Sequence, residues 1–525
     1  MLSQSLINTI YVIAAVLFIL GLKGMSHPRK ARQGNLMSAV GMLIAVLATL
    51  LRGELEFQYI FIGLIVGAVI GAIFAIRIAM TSMPEMVAIF NGFGGAASVM
   101  VAAAELQKVI ALESAHAGLQ MSIATVLAGL IGSVTFYGSY IAFAKLAEFL
   151  AVKWKLKLWQ KSVKFGFALF IILLGVFTAY KFDFQWLGWV TIAFYVLTAL
   201  VMYSKKAVIP GMQALKATSA IIALVLGVLL VIQLAGGPQF VQVDNILLLY
   251  WTLIAASGLL GVLLTFSIGG ADMPVVIALL NSYSGIAAAM TGFVISNTVL
   301  IIAGSLVGAS GIILTQIMCR AMNRSLTNVL FGAMGSTEST MDADEIYKTV
   351  KATSAEEIAM MLETAQRVLI VPGYGMAVSQ AQHSVRDLGN LLESKFSAEV
   401  FFGVHAVAGR MPGHMNVLLA EANVPYDKLW DETEANSNID TIDVAIVIGA
   451  NDVVNPVART DPDSPIAGMP IINVDKARTA IVIKRSLSPG FAGIPNPLFA
   501  MDNTMMFFND GKKAFAEIIA AVKES

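Results

Sequence analysis

Between residues 6 and 319 the sequence carries one apolar run after another, each of the roughly 17–25 residues that a helix needs to cross a bilayer. The runs fall at 6–22, 36–51, 58–76, 85–104, 119–144, 165–180, 186–203, 217–235, 246–268, 273–295 and 298–319. At 57% hydrophobic and 13% charged residues, the chain is too apolar for an ordinary soluble protein. Its zero net charge conceals a division. Residues 1–324 hold 19 Lys and Arg against 9 Asp and Glu, whereas residues 325–525 hold 15 against 25. We expect a membrane domain at 1–324, a linker at 325–353 rich in Gly, Ser, Thr and Asp, and an acidic soluble domain at 354–525. Eleven spans would place the two ends of the membrane domain on opposite sides. Sixteen of its nineteen cations fall in loops on the side shared with the C-terminal domain, which the positive-inside tendency assigns to the cytoplasm. The single Cys319 excludes an intrachain disulfide. The first apolar run lacks a basic n-region and reads as a retained helix.

Two of the spans are related. "MPEMVAIFNGFGGAASVM" at 83–100 and "MPVVIALLNSYSGIAAAM" at 273–290 share seven of eighteen positions at an offset of 190. As the fourth and tenth spans they run in the same direction, so the repeat is parallel. Asn91 and Asn281 each lie seven residues beyond a Pro, roughly 10 Å into the helix at 1.5 Å per residue. An amide in hydrocarbon needs a partner. Two readings fit: interhelical hydrogen bonds that join the helices, or a water-lined path for a proton or small ion. Ser139, and Asp272 just before the tenth span, belong with the second reading, although an acid at a helix start is also a dipole-stabilising cap. None of the five His falls in an apolar run.

From about residue 367 short β-rich runs alternate with helical stretches. The expected strands are "RVLIVPG", "AEVFFGVHAVAG", "DVAIVIGAND", "MPIINVD", "TAIVIKR" and "MMFFND", with helices at 376–396, 415–423 and 511–524. Ser354 and Glu357 form a capping box before the first helix. The pattern predicts a Rossmann-like α/β domain with a doubly wound parallel sheet, following a polytopic α-helical membrane domain of about eleven spans. The first strand runs into "GYGMAV" (Gly373, Tyr374, Gly375, Met376, Ala377, Val378), where glycines would let a pyrophosphate approach the backbone at a helix start. A merely tight strand–helix turn is the other reading, and Val378 departs from the small third residue of the fingerprint. An NAD site places an acid at the end of the second strand. Here that region ends in Gly409 and Arg410, and "IKRS" delivers Lys484, Arg485 and Ser486 together at a later strand end, a set suited to a dianionic phosphate. NADP(H) therefore fits better than NAD(H). Gly449, Ala450, Asn451 and Asp452 follow the third expected strand, where such sheets place ligands, or else form an Asx-type turn before Pro456. His383, His405 and His414 show no metal-ligand spacing and read as isolated polar contacts.

The blocks "GGADMPVVIALLNSYSG", "MCRAMNRS", "VPGYGMAVSQAQ", "VAGRMPGHMNVLLAEANVPYD", "VIGANDVVNP", "SPIAGMP" and "IKRSLSPGFAG" together resemble the β subunit of proton-translocating NAD(P) transhydrogenase. The match covers nearly the whole chain. The resemblance implies an enzyme of the bacterial inner membrane, active with an α subunit that carries NAD(H), with two copies of each chain. Hydride would pass between NADH and NADP⁺, coupled to proton movement. It also implies that Gly373–Val378, Gly409, Arg410 and Tyr426 lie at the NADP(H), that Lys484, Arg485 and Ser486 hold its 2′-phosphate, and that Asp452 sits near the nicotinamide and helps coupling. Asn281, Ser139 and Asp272 match membrane positions implicated in coupling. The family implies no metal. Three departures stand out. Asn91 replaces a His found in many members and cannot exchange a proton at physiological pH. Phe491 replaces a Tyr, and residues 150–203 look like an inserted helix pair. A rival reading is an ion transporter or channel regulated by a C-terminal nucleotide-binding domain.

Overall fold

The computed structural model describes residues 4–25, 30–51, 57–78, 82–111, 118–147, 186–203, 211–238, 246–269, 272–331 and 346–525, apart from 412, 463, 465 and 491. Isolated positions between 169 and 180 are also described. Phe491, most of the run at 165–180 and linker residues 332–345 lie outside the described residues. Contacts divide the chain into two compact units. Met1–Ile268, Val276–Leu314 and Leu330–Ala333 form the first; Gly269–Val275, Thr315–Val329 and Met334–Ser525 form the second.

Ten of the eleven apolar runs are helices: α1 (Gln4–Met25), α2 (Ala31–Leu50), α3 (Phe57–Arg77), α4 (Met83–Ala111), α5 (Leu119–Leu146), α6 (Trp186–Tyr203), α7 (Met212–Leu234), α8 (Ile246–Phe266), α9 (Met273–Val294) and α10 (Thr298–Ala321). Among the described residues nine are long and apolar enough to cross a membrane, and α6 contributes a shorter apolar segment, Gly188–Val201. α8 is the most buried, and its all-round apolar sequence is what a helix enclosed by others requires. α4 and α5 approach to backbone contact. A Cβ on Gly95 would lie 2.5 Å from the carbonyl oxygen of Gly132, so only glycine permits this crossing.

In the second unit six strands form a parallel sheet: β1 (Arg367–Pro372), β2 (Glu399–Gly403), β3 (Leu429–Trp430), β4 (Val444–Ile448), β5 (Thr479–Lys484) and β6 (Thr504–Phe508). Their order, β3-β2-β1-β4-β5-β6, reverses direction between β1 and β4. This is the doubly wound arrangement with its switch point at those two strands. Every residue of β4 is buried, which is why the strand reads as an uninterrupted apolar run. Ser354 and Glu357 close the expected capping box at the start of α11 (Ala355–Thr364).

Three expectations are corrected. "MPIINVD" is not a strand: the Asn436 amide accepts from Asn473 N (2.8 Å) and donates to Ile471 O (2.7 Å), while Ile472 N donates to Val453 O (3.0 Å). Those partners satisfy the backbone without a ladder. The second strand stops at Gly403 and does not reach Gly409. The helix expected at 376–396 is two helices, α12 (Tyr374–Ser379) and α13 (Gln382–Phe396), broken where Gln380 takes a left-handed conformation. The helices expected at 415–423 and 511–524 are α14 (His414–Glu421) and α15 (Gly511–Glu524).

Candidate nucleotide site and polar membrane seam

The turn after β1 and the turn after β4 meet at the switch point. Gly373 N donates to Ile448 O (2.8 Å) and Gly375 N to Gly449 O (3.0 Å). Gly449 has φ +62°, and a Cβ there would stand 2.2 Å from Gly375 Cα, so the two backbones touch where no side chain fits. A Cβ on Gly373 would likewise meet Ala450 Cα at 2.4 Å. Buried Met376 and Ala377 pin the turn to the core. Val378 is 45% exposed. It points away from the sheet, so the close packing that demands a small third residue in the fingerprint does not arise here.

Around this turn the loop after β2 brings up Gly409 and Arg410. The Arg410 guanidinium stacks over the Tyr374 ring at 4.2 Å, a cation–π contact. The Tyr374 ring also lies 6.2 Å from that of His414, whose Nδ1 accepts a hydrogen bond from Arg410 N (3.2 Å). Tyr426 is half exposed at the head of a short 3₁₀ turn, Tyr426–Lys428. Among the described residues no hydrogen bond or ring contact ties it to this cluster.

At the ends of β4 and β5 a second group assembles. Asp452 Oδ2 accepts from Ala492 N (3.0 Å), and Asn496 Nδ2 donates to the Asn451 carbonyl (3.1 Å). With its amide oxygen facing the donors around it, Asn451 accepts from Lys484 Nζ (3.0 Å) and Gly490 N (2.7 Å). Lys484 Nζ also donates to Ser488 O and lies 5.0 Å from the Phe499 ring centroid. Burial pushes the Lys484 ammonium down to about 8, with the Asp452 carboxylate pulling the other way. Arg485 and Ser486 follow, both exposed, and Ser486 Oγ shares a 2.9 Å hydrogen bond with Ser488 Oγ. Asn451, Lys484, Ser488 and Ser486 therefore form one hydrogen-bonded network, and the Asp452 carboxylate acts on Lys484 through its charge. Sequence spacing missed one carboxylate near the end of β2. Glu432, from a different element, accepts from Ala406 N (3.3 Å) and lies 3.9 Å from His405 Nε2. Burial lowers the His405 pKa despite that neighbour.

In the first unit, Asn91 is buried on α4 and donates to Ile277 O of α9 at 3.5 Å, one turn before Asn281. Ser139 of α5 is fully buried, and a Cβ on Gly92 would stand 3.2 Å from its own Cβ. A Cβ on Gly94 would meet Ser284 Oγ at 2.5 Å. The two members of the sequence repeat thus meet at Asn91 with Ile277 and at Gly94 with Ser284, and Asn281, one turn beyond Ile277, is half-buried. In the second unit, Asp272 is 2% exposed and pairs with Arg324 at 2.8 Å. Burial raises the Asp272 carboxyl, opposed by that guanidinium.

The family model described as "NAD(P) transhydrogenase beta subunit" matches residues 7–202 and 190–521. A curated relative, "NAD(P) transhydrogenase subunit beta" of Rhodospirillum rubrum, is 43% identical over 529 residues, covering 99% of this chain and 100% of the relative. A second sequence of the same name, from a designated strain of that species, matches to the same extent.

Proposed function

This chain belongs to the NAD(P) transhydrogenase beta subunit family, and from that premise we propose that it binds NADP(H) in its C-terminal domain and couples hydride transfer to proton translocation. The single observation that carries the reading is the switch point. Gly373 and Gly375 lie against Gly449 and the backbone of Ala450 at the carboxyl ends of β1 and β4, where doubly wound sheets take dinucleotides. The residues present fit such a group: a glycine turn in which any Cβ would strike the neighbouring backbone, and the cations Lys484 and Arg485 with Ser486 at the end of β5. On this reading Gly373–Val378, Gly409 and Arg410 flank the pyrophosphate, and Tyr426 lies toward the cofactor. Lys484, Arg485 and Ser486 hold the 2′-phosphate through charge-assisted hydrogen bonds. Gly449, Ala450, Asn451 and Asp452 line the nicotinamide side. When bound, NADP⁺ supplies the hydride acceptor. This chain binds and orients it, and an α subunit carrying NAD(H) supplies the donor.

Asp452 acts on Lys484 through its charge, so a change in its protonation reaches the group that holds the phosphate. Within the first unit the seam of Asn91, Ser139 and Asn281 belongs to the proton path, and Asp272 in the second unit is assigned a separate role in coupling. Because neither Asn titrates, the seam orders water while a carboxylate, or a group from the α subunit, takes the proton. The C-terminal domain, residues 354–525, faces the cytoplasm of a bacterial inner membrane, and the assembly holds two copies of each chain. The test is co-expression with an α chain in sealed vesicles. NADH should reduce NADP⁺, and an uncoupler should change the rate. A rate indifferent to the uncoupler overturns the coupling, and a chain that fails to bind NADP(H) overturns the site.

A further inference from the structure

His414 begins α14 and is almost wholly enclosed, at 1% exposure. Its ring is fixed on two sides. Gly409, at φ +108°, passes so close that a Cβ there would lie 2.6 Å from Nδ1, and the Tyr374 ring stands 6.2 Å away. Nδ1 accepts the Arg410 N–H at 3.2 Å. That bond dictates the tautomer. A ring nitrogen that accepts carries no proton, so the proton of the neutral imidazole is on Nε2. Neutrality is secured by the surroundings, since burial and the Arg410 charge push the group down to about 4. Nε2–H is thus a buried donor, and it has no hydrogen-bond partner among the described residues. An unsatisfied buried donor keeps its desolvation penalty, which native proteins rarely leave uncompensated.

The chemistry around the ring indicates what the missing acceptor is. His414 stands beside Tyr374 of the glycine turn and against Gly409 of the loop that carries the Arg410 cation. An oxygen bearing negative charge suits a donor in that company. Resting on the reading that this domain takes NADP(H), we propose that His414 is a further cofactor-binding residue, whose Nε2–H donates to a pyrophosphate oxygen of the bound dinucleotide while Nδ1 braces the Arg410 backbone. The ring then serves as a fixed neutral spacer. It holds the Arg410 loop at one nitrogen and the ligand at the other.

Two substitutions separate the nitrogens. In H414N the side-chain oxygen can replace Nδ1, but nothing replaces the Nε2 donor. In H414Q the amide nitrogen reaches the Nε2 position while the Nδ1 acceptor is lost. Full-length chain in detergent is titrated with NADPH and with NADH. H414N should bind NADPH about tenfold or more weakly, as expected for a lost hydrogen bond to a charged group, and H414Q should stay closer to wild type. The reverse order, or two variants that both bind like wild type, overturns the proposal and leaves the ring as a brace. If both variants bind weakly, nitrogen-15 histidine spectra of the wild-type chain decide. The protonated Nε2 signal of His414, assigned by its loss in H414N, should shift on adding NADPH. A signal that does not move overturns the proposal. Wild-type chain that binds no NADPH at all refutes the nucleotide site itself, a failure separate from that of His414.

Discussion

Two of the backbone contacts in this chain invite comparison: Gly95 of α4 against Gly132 of α5, and Gly375 against Gly449 at the ends of β1 and β4. Both contacts depend on the absence of a Cβ, but the touching groups differ. Inside α4 and α5 every N–H is already committed to its own helix, and only carbonyl oxygens have a lone pair left. Several cross-helix bonds in the first unit accordingly run from side chains to carbonyls, while Tyr11 with Thr49 and Thr191 with Thr252 pair hydroxyls (2.8 Å each). Ser133 donates to Ile254 O (2.7 Å), Tyr250 to Val99 O (2.9 Å), Ser282 to Gly308 O (2.6 Å) and Asn91 to Ile277 O (3.5 Å). At the sheet the turns retain N–H groups to give, and they spend them on each other and on carboxylates such as Asp452. The helix seam accepts and orders polar hydrogens. The turn donates its own N–H groups, those of Gly373 and Gly375, to the backbone of the turn beside it.

The largest expected effect breaks the two contacts in parallel. Gly449→Ala forces a side chain into a left-handed conformation and into backbone 2.2 Å away. Strain and overpacking each cost about 1–3 kcal/mol, so the variant should melt several degrees lower and lose measurable NADPH binding. Gly95→Ala meets an oxygen at 2.5 Å without the φ penalty. It should be destabilised by about 1–3 kcal/mol with nucleotide affinity intact. Equal loss of affinity in both variants would show that the distinction between the contacts is wrong. Next in size, Arg485→Ala should weaken NADPH binding by about 1.5–3 kcal/mol and leave NADH binding as it was. An unchanged NADPH affinity removes Arg485 from the phosphate site.

The same distinction explains what the sequence made legible. Long apolar runs and buried β strands are set by solvent exclusion over many residues, so ten helices and five of the six strands follow from pattern. The two-residue β3, Leu429–Trp430, is too short for any periodicity, though Trp430 is buried and stacks on Phe401 at 3.9 Å. "MPIINVD" failed because its apolar residues are buried while its backbone is satisfied by Asn436, 35–37 positions away. Within the candidate site, the meeting of the glycine turns was readable because that backbone contact demands glycine locally. The meeting of Arg410, Tyr374 and His414 was not. It depends on how the loop after β2 folds back, and nothing in the spacing of those three residues announces it.

A smaller effect is expected from the seam. Asn281→Leu should abolish the response of vesicle-bound enzyme to an uncoupler while NADPH affinity remains. Asn91→Leu should cost about 1 kcal/mol of stability, the usual worth of an interhelical hydrogen bond. Loss of nucleotide affinity in either variant would mean that the seam is a structural element of the whole chain.

The smallest effect, and the most diagnostic, comes from Lys484, because one group should give two slopes of opposite sign. Burial lowers its pKa to about 8 from the ordinary 10.5. Between those values the unfolded chain holds a proton that the folded chain has released, so stability should rise as pH increases through this window. Below about pH 8 the buried ammonium imposes its full penalty. A bound 2′-phosphate favours the charged form instead, so NADPH affinity should fall as pH rises above about 8, where the free site loses its cation. Melting temperature and NADPH affinity measured from about pH 7 to 10 should therefore diverge, with the Lys484 contribution absent in Lys484→Met. Parallel slopes would mean that this ammonium does not face the phosphate, and the cationic role would then pass to Arg485 alone.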